Sequence, residues 1–162
     1  MGILKTHFQT SSREVVEKKA HKAHVDPKKI QAAHCLVASA NVDKRAFLSD
    51  AATHAGWETV VCADAQNATA AARRVRFQMA WIDLDYHGQT PSGFRDLCQT
   101  LAATPEMLLA VCGHVNDAEE EVWARQLGVW LYLPGISLEH ADEISELCEH
   151  AQLLGRGSKA SY

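Results

Sequence analysis

Short apolar runs alternate with segments of helical pattern along most of the chain. Five runs of five to seven residues are rich in apolar side chains and lack polar alternation, which is typical of strands that are covered on both faces. A segment with apolar residues at helical spacing follows each run. The pattern therefore predicts a five-stranded parallel sheet with helices on both faces. The predicted strands are residues 34–40, 58–63, 79–83, 107–113 and 129–133.

The predicted helices carry recognisable start and stop residues. Gly56 and Gly128 are suited to ending the first and fourth helices. Ser137 is suited to capping the last helix, and Pro91 to the first turn of the third. The predicted helices are residues 42–55, 65–77, 91–103, 116–127 and 137–154.

The third apolar run leads directly into two carboxylates. It reads MAWIDLDYHGQTPSG, so Asp83 and Asp85 stand where a buried strand meets a polar loop. Ligand sites in parallel sheets lie at the carboxyl ends of the strands. We therefore expect the loops after Ala38, Asp83, Cys112 and Leu133 to meet at one edge of the sheet.

Charge is spread unevenly over the chain. The formal net charge is −4, but residues 1–34 hold seven Lys/Arg against three Asp/Glu, which leaves −8 on the rest. An acidic body argues against nucleic-acid binding, whereas a basic segment attracts acidic partners. We predict a basic N-terminal arm over residues 1–33, partly helical or disordered. The main domain then covers residues 34–154, and a flexible tail covers residues 155–162.

The lengths of the apolar runs and the number of cysteines indicate the cellular compartment of the protein. No apolar run reaches about 18 residues, so we expect no membrane span. The five cysteines are an odd number and show no C-x-x-C spacing, which indicates small buried side chains in a reducing cytoplasm. We therefore expect a cytoplasmic protein that uses no cofactor.

Four segments, taken in their order and spacing, resemble the receiver domain of bacterial two-component response regulators. They are VASANVDKR after the first strand, HAGWETVVCADA around the second, MAWIDLDYHGQTPSG around the third and ARQLGVWLYLPG around the fifth. The resemblance covers roughly residues 34–154. It implies a flavodoxin-like, doubly wound sheet with strand order 2-1-3-4-5 and a phosphorylation site at one edge.

The resemblance places the phosphoacceptor at Asp83 and a metal-facing backbone carbonyl at Asp85. The other groups of the family's site are replaced: the Mg²⁺-binding acid pair by Ala38 and Ser39, the phosphoryl-binding hydroxyl by Cys112, and the lysine by Leu133. Phosphoryl transfer to a carboxylate depends on positioning and charge neutralisation. The resemblance therefore implies a degenerate site in a pseudo-receiver that does not become phosphorylated.

Two other interpretations of the aspartates remain open. Asp83 could still accept a phosphoryl group, with Asp85 as a substitute metal ligand. The sequence Asp83-Leu84-Asp85 also resembles the nucleophile motif of haloacid-dehalogenase-type phosphatases, although that motif closes the first strand of its fold and this one closes the third. Asp85, His87 and His114 are weak candidate ligands for a transition metal. We expect no bound metal and no enzymatic turnover.

Aromatic residues near the fifth strand are the candidates for partner binding. Trp123, Trp130 and Tyr132 lie in or beside the fourth helix and the fifth strand, and Trp130 matches the family's switch aromatic. Strand alternation places Trp130 and Tyr132 on the same face of the sheet. The resemblance implies a signalling adaptor or assembly module. Its protein partner, or a second copy of the chain, is expected on the face made by helix 4, strand 5 and helix 5, and on the N-terminal arm.

Overall fold

The computed structural model describes residues 32–157 and contains a five-stranded sheet. Every pair of neighbouring strands is parallel, in the order β2-β1-β3-β4-β5. The predicted flavodoxin-like order 2-1-3-4-5 is therefore confirmed. The strands are β1 His34–Ala38, β2 Glu58–Cys62, β3 Met79–Asp83, β4 Leu108–Gly113 and β5 Leu131–Pro134.

Within residues 32–157, five α-helices cover the two faces of the sheet. They are α1 Val42–His54, α2 Ala65–Arg74, α3 Phe94–Ala102, α4 Ala118–Leu127 and α5 Ala141–Gly157. A short 3-10 helix, Leu138–His140, precedes α5. Helices α1 and α5 share one apolar core with one face of the sheet, and helices α2, α3 and α4 pack against the other face.

Alternate residues of β1 show how the strands divide these two cores. Cys35 and Val37 pack towards α1 and α5, whereas Leu36 and Ala38 pack towards α2 and α3. The largest fully buried side chain is Trp81 of β3, in the core on the α1/α5 side. The sheet is therefore a layer between two apolar cores.

The edge strands differ from the prediction that all five strands are buried on both faces. All five residues of β3 are buried, but most residues of β2 and all residues of β5 are partly or fully exposed. The prediction is wrong for β2 and β5 because each has a neighbouring strand on only one side.

Helices α2 and α3 are each shorter than predicted at one end by three residues. Helix α2 ends at Arg74, because Val75 adopts extended geometry with φ −122° and ψ 133°. Helix α3 begins at Phe94, and Gly93 before it has φ 80°, in the left-handed region that favours glycine. Pro91 therefore lies in the loop before the helix and not in its first turn.

Strand β5 begins one residue after Trp130, and this changes the predicted facing of that side chain. Trp130 and Leu131 both pack against the core on the α1/α5 side, whereas Tyr132 packs against the opposite core. The prediction that Trp130 and Tyr132 share a face is wrong, because strict alternation holds only within the regular strand.

Helix α5 continues to Gly157, into the segment that was predicted as a tail. Residues 1–31 of the predicted arm and residues 158–162 of the predicted tail lie outside the described residues. Within residues 32–157, no helix combines the length and the apolar character needed to cross a membrane. All five cysteines are free and buried, as the sequence indicated.

Candidate functional site

The parallel register brings the predicted site positions to one edge of the sheet. Ala38 pairs with Ile82, one residue before Asp83. Asp83 pairs with Cys112, which in turn pairs with Leu133. The expected meeting of these strand ends at one edge is therefore confirmed, with Asp83 at its centre.

Asp83 is a buried carboxylate held by three donors from its own chain. Its side chain is 1% exposed. The Ser39 hydroxyl donates to Oδ2 at 2.7 Å, and the backbone N–H of Asp85 donates to Oδ1 at 3.1 Å. Burial raises the pKa of Asp83, although the Ser39 hydrogen bond and the charge of Lys44 each favour the ionised form.

The third donor, Lys44, is the site residue that the sequence reasoning missed. Its ammonium group lies 3.4 Å from Oδ1 of Asp83 and 3.4 Å from the backbone carbonyl oxygen of Asp85. It also lies 3.9 Å from Oδ2 of Asp85. Lys44 thus bridges the two positions at which the resemblance places the phosphoacceptor and the metal-facing carbonyl.

The start of α1 explains why Lys44 reaches the site. Asn41 caps this helix, and its side chain accepts from the backbone N–H groups of Asp43 and Lys44. Lys44 is therefore in the first turn, next to the end of β1. The signal in the sequence was a basic residue in the first turn of the helix that follows the first strand. That turn lies close to the carboxyl ends of β1 and β3, so a lysine side chain there can reach Asp83.

Ser39 and Arg45 tie the β1–α1 loop to this arrangement. Ser39 is fully buried, and its backbone carbonyl accepts a hydrogen bond from the Arg45 guanidinium at 2.8 Å. The sequence predicted Ser39 only as a replacement for a metal ligand. In the structure its hydroxyl donates a hydrogen bond to one of the two carboxylate oxygens of Asp83.

The side chains at the other positions that the resemblance places in the site, Ala38, Cys112 and Leu133, offer no oxygen or charged group to a phosphoryl ligand. Ala38 is fully buried in the core beside α2. Cys112 is also buried, and burial raises the pKa of its thiol well above the usual value. Leu133 packs against the core on the α1/α5 side. No cation stands at the position where the resemblance expects the lysine.

The residues at this edge do not fit Mg²⁺ as the resemblance would require. A hard cation needs several oxygen ligands, but the acid pair is absent. The two oxygen groups that remain, on Asp83 and Asp85, are both in contact with the Lys44 ammonium. A divalent cation at that point would be repelled by the positive charge of the Lys44 ammonium group.

The three candidate metal ligands are only partly brought together. His114 Nε2 lies 3.6 Å from Oδ1 of Asp85. His87 is exposed, has φ 52° and contacts the Tyr86 ring. A different group, His114, Asp117 and Glu120, has potential ligand atoms within 4.8 Å of one another. Hydrogen bonds from its neighbours already use the Glu120 carboxylate.

Glu120 is the second buried carboxylate of this edge, and sequence reasoning did not single it out. It is 1% exposed. Its Oε1 accepts from the backbone N–H of His114 at 2.8 Å and from the Tyr132 hydroxyl at 2.9 Å. Its Oε2 lies 2.9 Å from His114 Nδ1 and 3.6 Å from the Arg95 guanidinium. Glu120 therefore joins the loop after β4 to α4, α3 and β5.

Two shifted pKa values follow from this network. Burial lowers the pKa of His114, but the Glu120 hydrogen bond and the charges of Glu120 and Asp85 outweigh it, so the net shift is upward. Burial and the same carboxylate raise the pKa of the Tyr132 phenol. Gly113 makes room for this tyrosine, because a Cβ at that position would overlap the Tyr132 ring.

The predicted partner-binding aromatics are all half-buried. Trp123 stacks under the Arg95 guanidinium, whose carbon lies 4.6 Å from the ring centroid. Tyr132 is held by Glu120, and Trp130 packs into the core. The large exposed apolar side chains near them are Val115 and Val122.

An open cleft of about 590 Å³ lies beside the buried aspartate and not over it. Its lining includes Asp85, Arg95, His114 and Glu120, but not Asp83. The cleft offers mixed charges that are already paired with one another. The arrangement can therefore hold the loops of this edge in one conformation.

Comparison with solved structures agrees with this fold. The chain is similar to the chemotaxis response regulator CheY4 of Vibrio cholerae, at 17% identity and a TM-score of 0.59 over 74% of this chain and 98% of that one. It is similar to the receiver domain of NtrX from Brucella abortus, at 21% identity and a TM-score of 0.59 over 72% of this chain and 96% of that one.

A third similar structure is the CheY-like receiver domain protein from Methanospirillum hungatei JF-1. Its identity is 14%, with a TM-score of 0.59 over 75% of this chain and 97% of that one. No family model matches the chain, and no curated protein matches it. The likeness at these identities concerns the fold: the chain has the fold of CheY-like receiver domains.

Proposed function

We propose that this chain is a receiver-fold adaptor in signalling that acts through protein contacts and without phosphorylation of Asp83. One observation carries the proposal: the Lys44 ammonium lies 3.4 Å from both Asp83 Oδ1 and the Asp85 carbonyl oxygen. The chain thus supplies its own cation to the carboxylate that a phosphorylated receiver would use. A fixed internal partner stabilises one charge state and one conformation of this edge.

The burial of Asp83 supports the same proposal. A phosphoryl donor needs an open approach to a carboxylate oxygen, with a cation beside it to neutralise the new charge. Here the side chain is 1% exposed and the Ser39 hydroxyl holds Oδ2 at 2.7 Å. Modification would have to break this hydrogen bond as well as the contact with Lys44.

The two enzyme-like alternatives require Asp85 to be free for a metal. Its Oδ1 accepts from the backbone N–H of Gly88 at 2.9 Å, and its Oδ2 lies 3.9 Å from the Lys44 ammonium. Both oxygens therefore already have positive or donor partners. This arrangement favours a structural role for Asp85 over metal-assisted phosphoryl chemistry.

The proposed contact surface is the face formed by α4, β5 and α5, together with the basic N-terminal arm. On this face Val122 is 53% exposed beside the half-buried Trp123. Tryptophan is among the residue types enriched at interface hot spots, and the exposed Val122 adds apolar area beside Trp123. We expect the domain to bind without a chemical step, so its output depends on surface residues and not on Asp83.

Paired variants test this proposal. Asp83→Asn removes the phosphoacceptor, Val122→Asp places a charge on the proposed face, and Val61→Asp changes another exposed valine as a control. Partners recovered with each full-length variant from native lysate are compared with those of the unmodified chain. We expect Asp83→Asn and Val61→Asp to keep the partners and Val122→Asp to lose them. Loss with Asp83→Asn and retention with Val122→Asp would overturn the adaptor proposal.

A further inference from the structure

Three arginines form an unpaired basic patch at the end of α2. Arg73, Arg74 and Arg76 are exposed, and within residues 32–157 none of them has a carboxylate oxygen within ion-pair distance. The same residues contain 17 Asp/Glu and only eight Lys/Arg. In a domain so rich in carboxylates, three of its eight cations stand together without a partner.

An apolar cleft opens beside this basic patch. Its volume is about 360 Å³, and its apolar lining consists of Val75, Phe77, Leu101, Met107 and Ala72. The cleft lies between the end of α2 and the loop that leads into β4. A ligand for this surface would therefore combine negative charge with an apolar side chain.

Helix α5 carries a line of side chains with that combination. Asp142, Glu146 and Glu149 are exposed and follow one another at helical spacing, on the side opposite the buried Ile144. Leu153 continues the line by one more turn and is 65% exposed. We refer to these four residues, Asp142, Glu146, Glu149 and Leu153, as the acidic stripe.

The acidic stripe is long enough to cover the basic patch. Asp142 and Glu149 are seven positions apart, or about 10 Å of helix. Arg73 to Arg76 spans a shorter distance, because Arg73 and Arg74 still belong to α2 and rise by about 1.5 Å per residue. None of the three carboxylates of the stripe has an ion-pair partner among the described residues.

The two surfaces cannot pair within one domain. Helix α2 packs its buried alanines against one face of the sheet, whereas α5 packs Ile144 and Cys148 against the other face. The acidic stripe, on the outer side of α5, is thus separated from the basic patch by the whole sheet. Only a second molecule can bring the two surfaces together.

We propose that the basic patch of one copy of this chain binds the acidic stripe of a second copy, with Leu153 in the apolar cleft. The contact is heterologous, because each copy contributes a different surface, and it closes into a ring or continues as a chain. It extends the proposed assembly role by naming the partner, but it does not depend on the state of Asp83.

Charge favours a second copy over nucleic acid or a membrane. Residues 32–157 carry an excess of nine acidic residues, so an extended anionic surface would be repelled around the small basic patch. The acidic stripe is short enough to contact the patch alone. Two copies repel each other at long range, but salt near 0.15 M screens that repulsion beyond about 8 Å.

Charge reversal in the full-length chain tests this contact by sedimentation velocity. Arg76→Glu reverses the patch, Glu146→Lys reverses the stripe, and the double variant exchanges the two charges. Asp96→Lys is the control for charge reversal, because Asp96 is exposed, has no ion-pair partner within residues 32–157 and lies at the opposite end of α3 from Leu101, which lines the cleft. Each protein is measured up to about 0.5 mM, the range that detects weak contacts, at about 0.1 and 0.5 M salt.

If this contact forms, the variants differ in how strongly they self-associate. The unmodified chain and Asp96→Lys associate equally at low salt, and less at high salt. Each single reversal weakens association by about fivefold or more, and the double variant regains most of it. Leu153→Ser also weakens it. Monomers at every concentration, or association unchanged in Arg76→Glu and Glu146→Lys, would overturn the proposal. Neither result would bear on whether Asp83 accepts a phosphoryl group.

Discussion

Buried carboxylates at the carboxyl edge of the sheet have partners in the same chain, whereas exposed charges at the end of α2 and along α5 have no ion-pair partner within residues 32–157. At the edge, the two buried carboxylates are met by donors from the same chain: Asp83 by Ser39 and Lys44, and Glu120 by His114 and Tyr132. On the outer helices, the arginines at the end of α2 and the acids along α5 have no ion-pair partner within residues 32–157.

This difference indicates where the domain can respond to other molecules. A buried charge that is paired internally contributes to one fixed conformation, and removing its partner is costly. An exposed unpaired charge contributes little to stability but remains available to a partner. Within residues 32–157, the two buried carboxylates at the edge of the sheet are paired internally, while the unpaired charges at the end of α2 and along α5 are exposed.

Removal of the internal cation should have the largest effect. Lys44→Met leaves the buried Asp83 carboxylate with only its two hydrogen-bond donors. We expect the free energy of unfolding to fall by about 3 kcal/mol, the scale for breaking a buried ion pair. Urea unfolding at neutral pH measures this change.

The same substitution in an Asp83→Asn background serves as its control. The neutral amide no longer needs a cation, so the cost of Lys44→Met should shrink to about 1 kcal/mol or less. An equal loss in both backgrounds would show that Lys44 contributes through its packing and not through its charge.

The hydroxyl of Tyr132 should contribute less than the Lys44 charge. Tyr132→Phe removes one hydrogen bond to the buried Glu120 carboxylate and leaves the ring in place. We expect a loss of about 1–2 kcal/mol, since the acceptor is charged and buried. Tyr86→Phe is the matched control, because Tyr86 is exposed. A similar loss in both variants would contradict the role assigned to Glu120.

Stability should also depend on pH through His114. Its pKa is raised in the folded domain, chiefly because Glu120 and Asp85 outweigh the effect of burial. The stabilisation is therefore fully present below the unfolded pKa of about 6.5, and it is lost as pH rises through the higher folded value. Urea midpoints measured on both sides of this window should fall with rising pH. His114→Gln should flatten that dependence, and an unchanged slope would argue against the ion pairs of His114.

The outer arginines should have the smallest effect on stability. Arg76→Glu changes an exposed residue without an internal partner, so its free energy of unfolding should stay within about 0.5 kcal/mol of the unmodified value. A larger loss would mean that Arg76 is paired within its own domain, and the contrast between edge and outer helices would then fail at this residue.

Sequence patterns predicted the fold well because buried strands and helical spacing are local signals. The order of β1 to β5 and the position of Asp83 at a strand end followed from apolar runs and from the resemblance. The facing of Trp130 was predicted wrongly, because the pattern could not show that the regular strand starts at Leu131, two residues after the predicted start at residue 129.

The chemistry of the site was predicted only in part, because side chains from distant segments complete it. Asp83 could be identified by its place after an apolar run. Lys44 lies 39 positions away and was not recognised, since its role depends on how the first turn of α1 stands over β3. Glu120 looked like one of three helix-starting acids, and only the fold shows that it is buried.

The reaction of Asp83 with a small phosphoryl donor tests the central claim most directly. The full-length chain is incubated with acetyl phosphate and Mg²⁺, and its intact mass is measured, with Asp83→Asn as the control. The account predicts no gain of a phosphoryl group, because Lys44 and Ser39 hold a buried carboxylate that lacks the ligands for a divalent cation. Stoichiometric addition of one phosphoryl group that disappears in Asp83→Asn would contradict it.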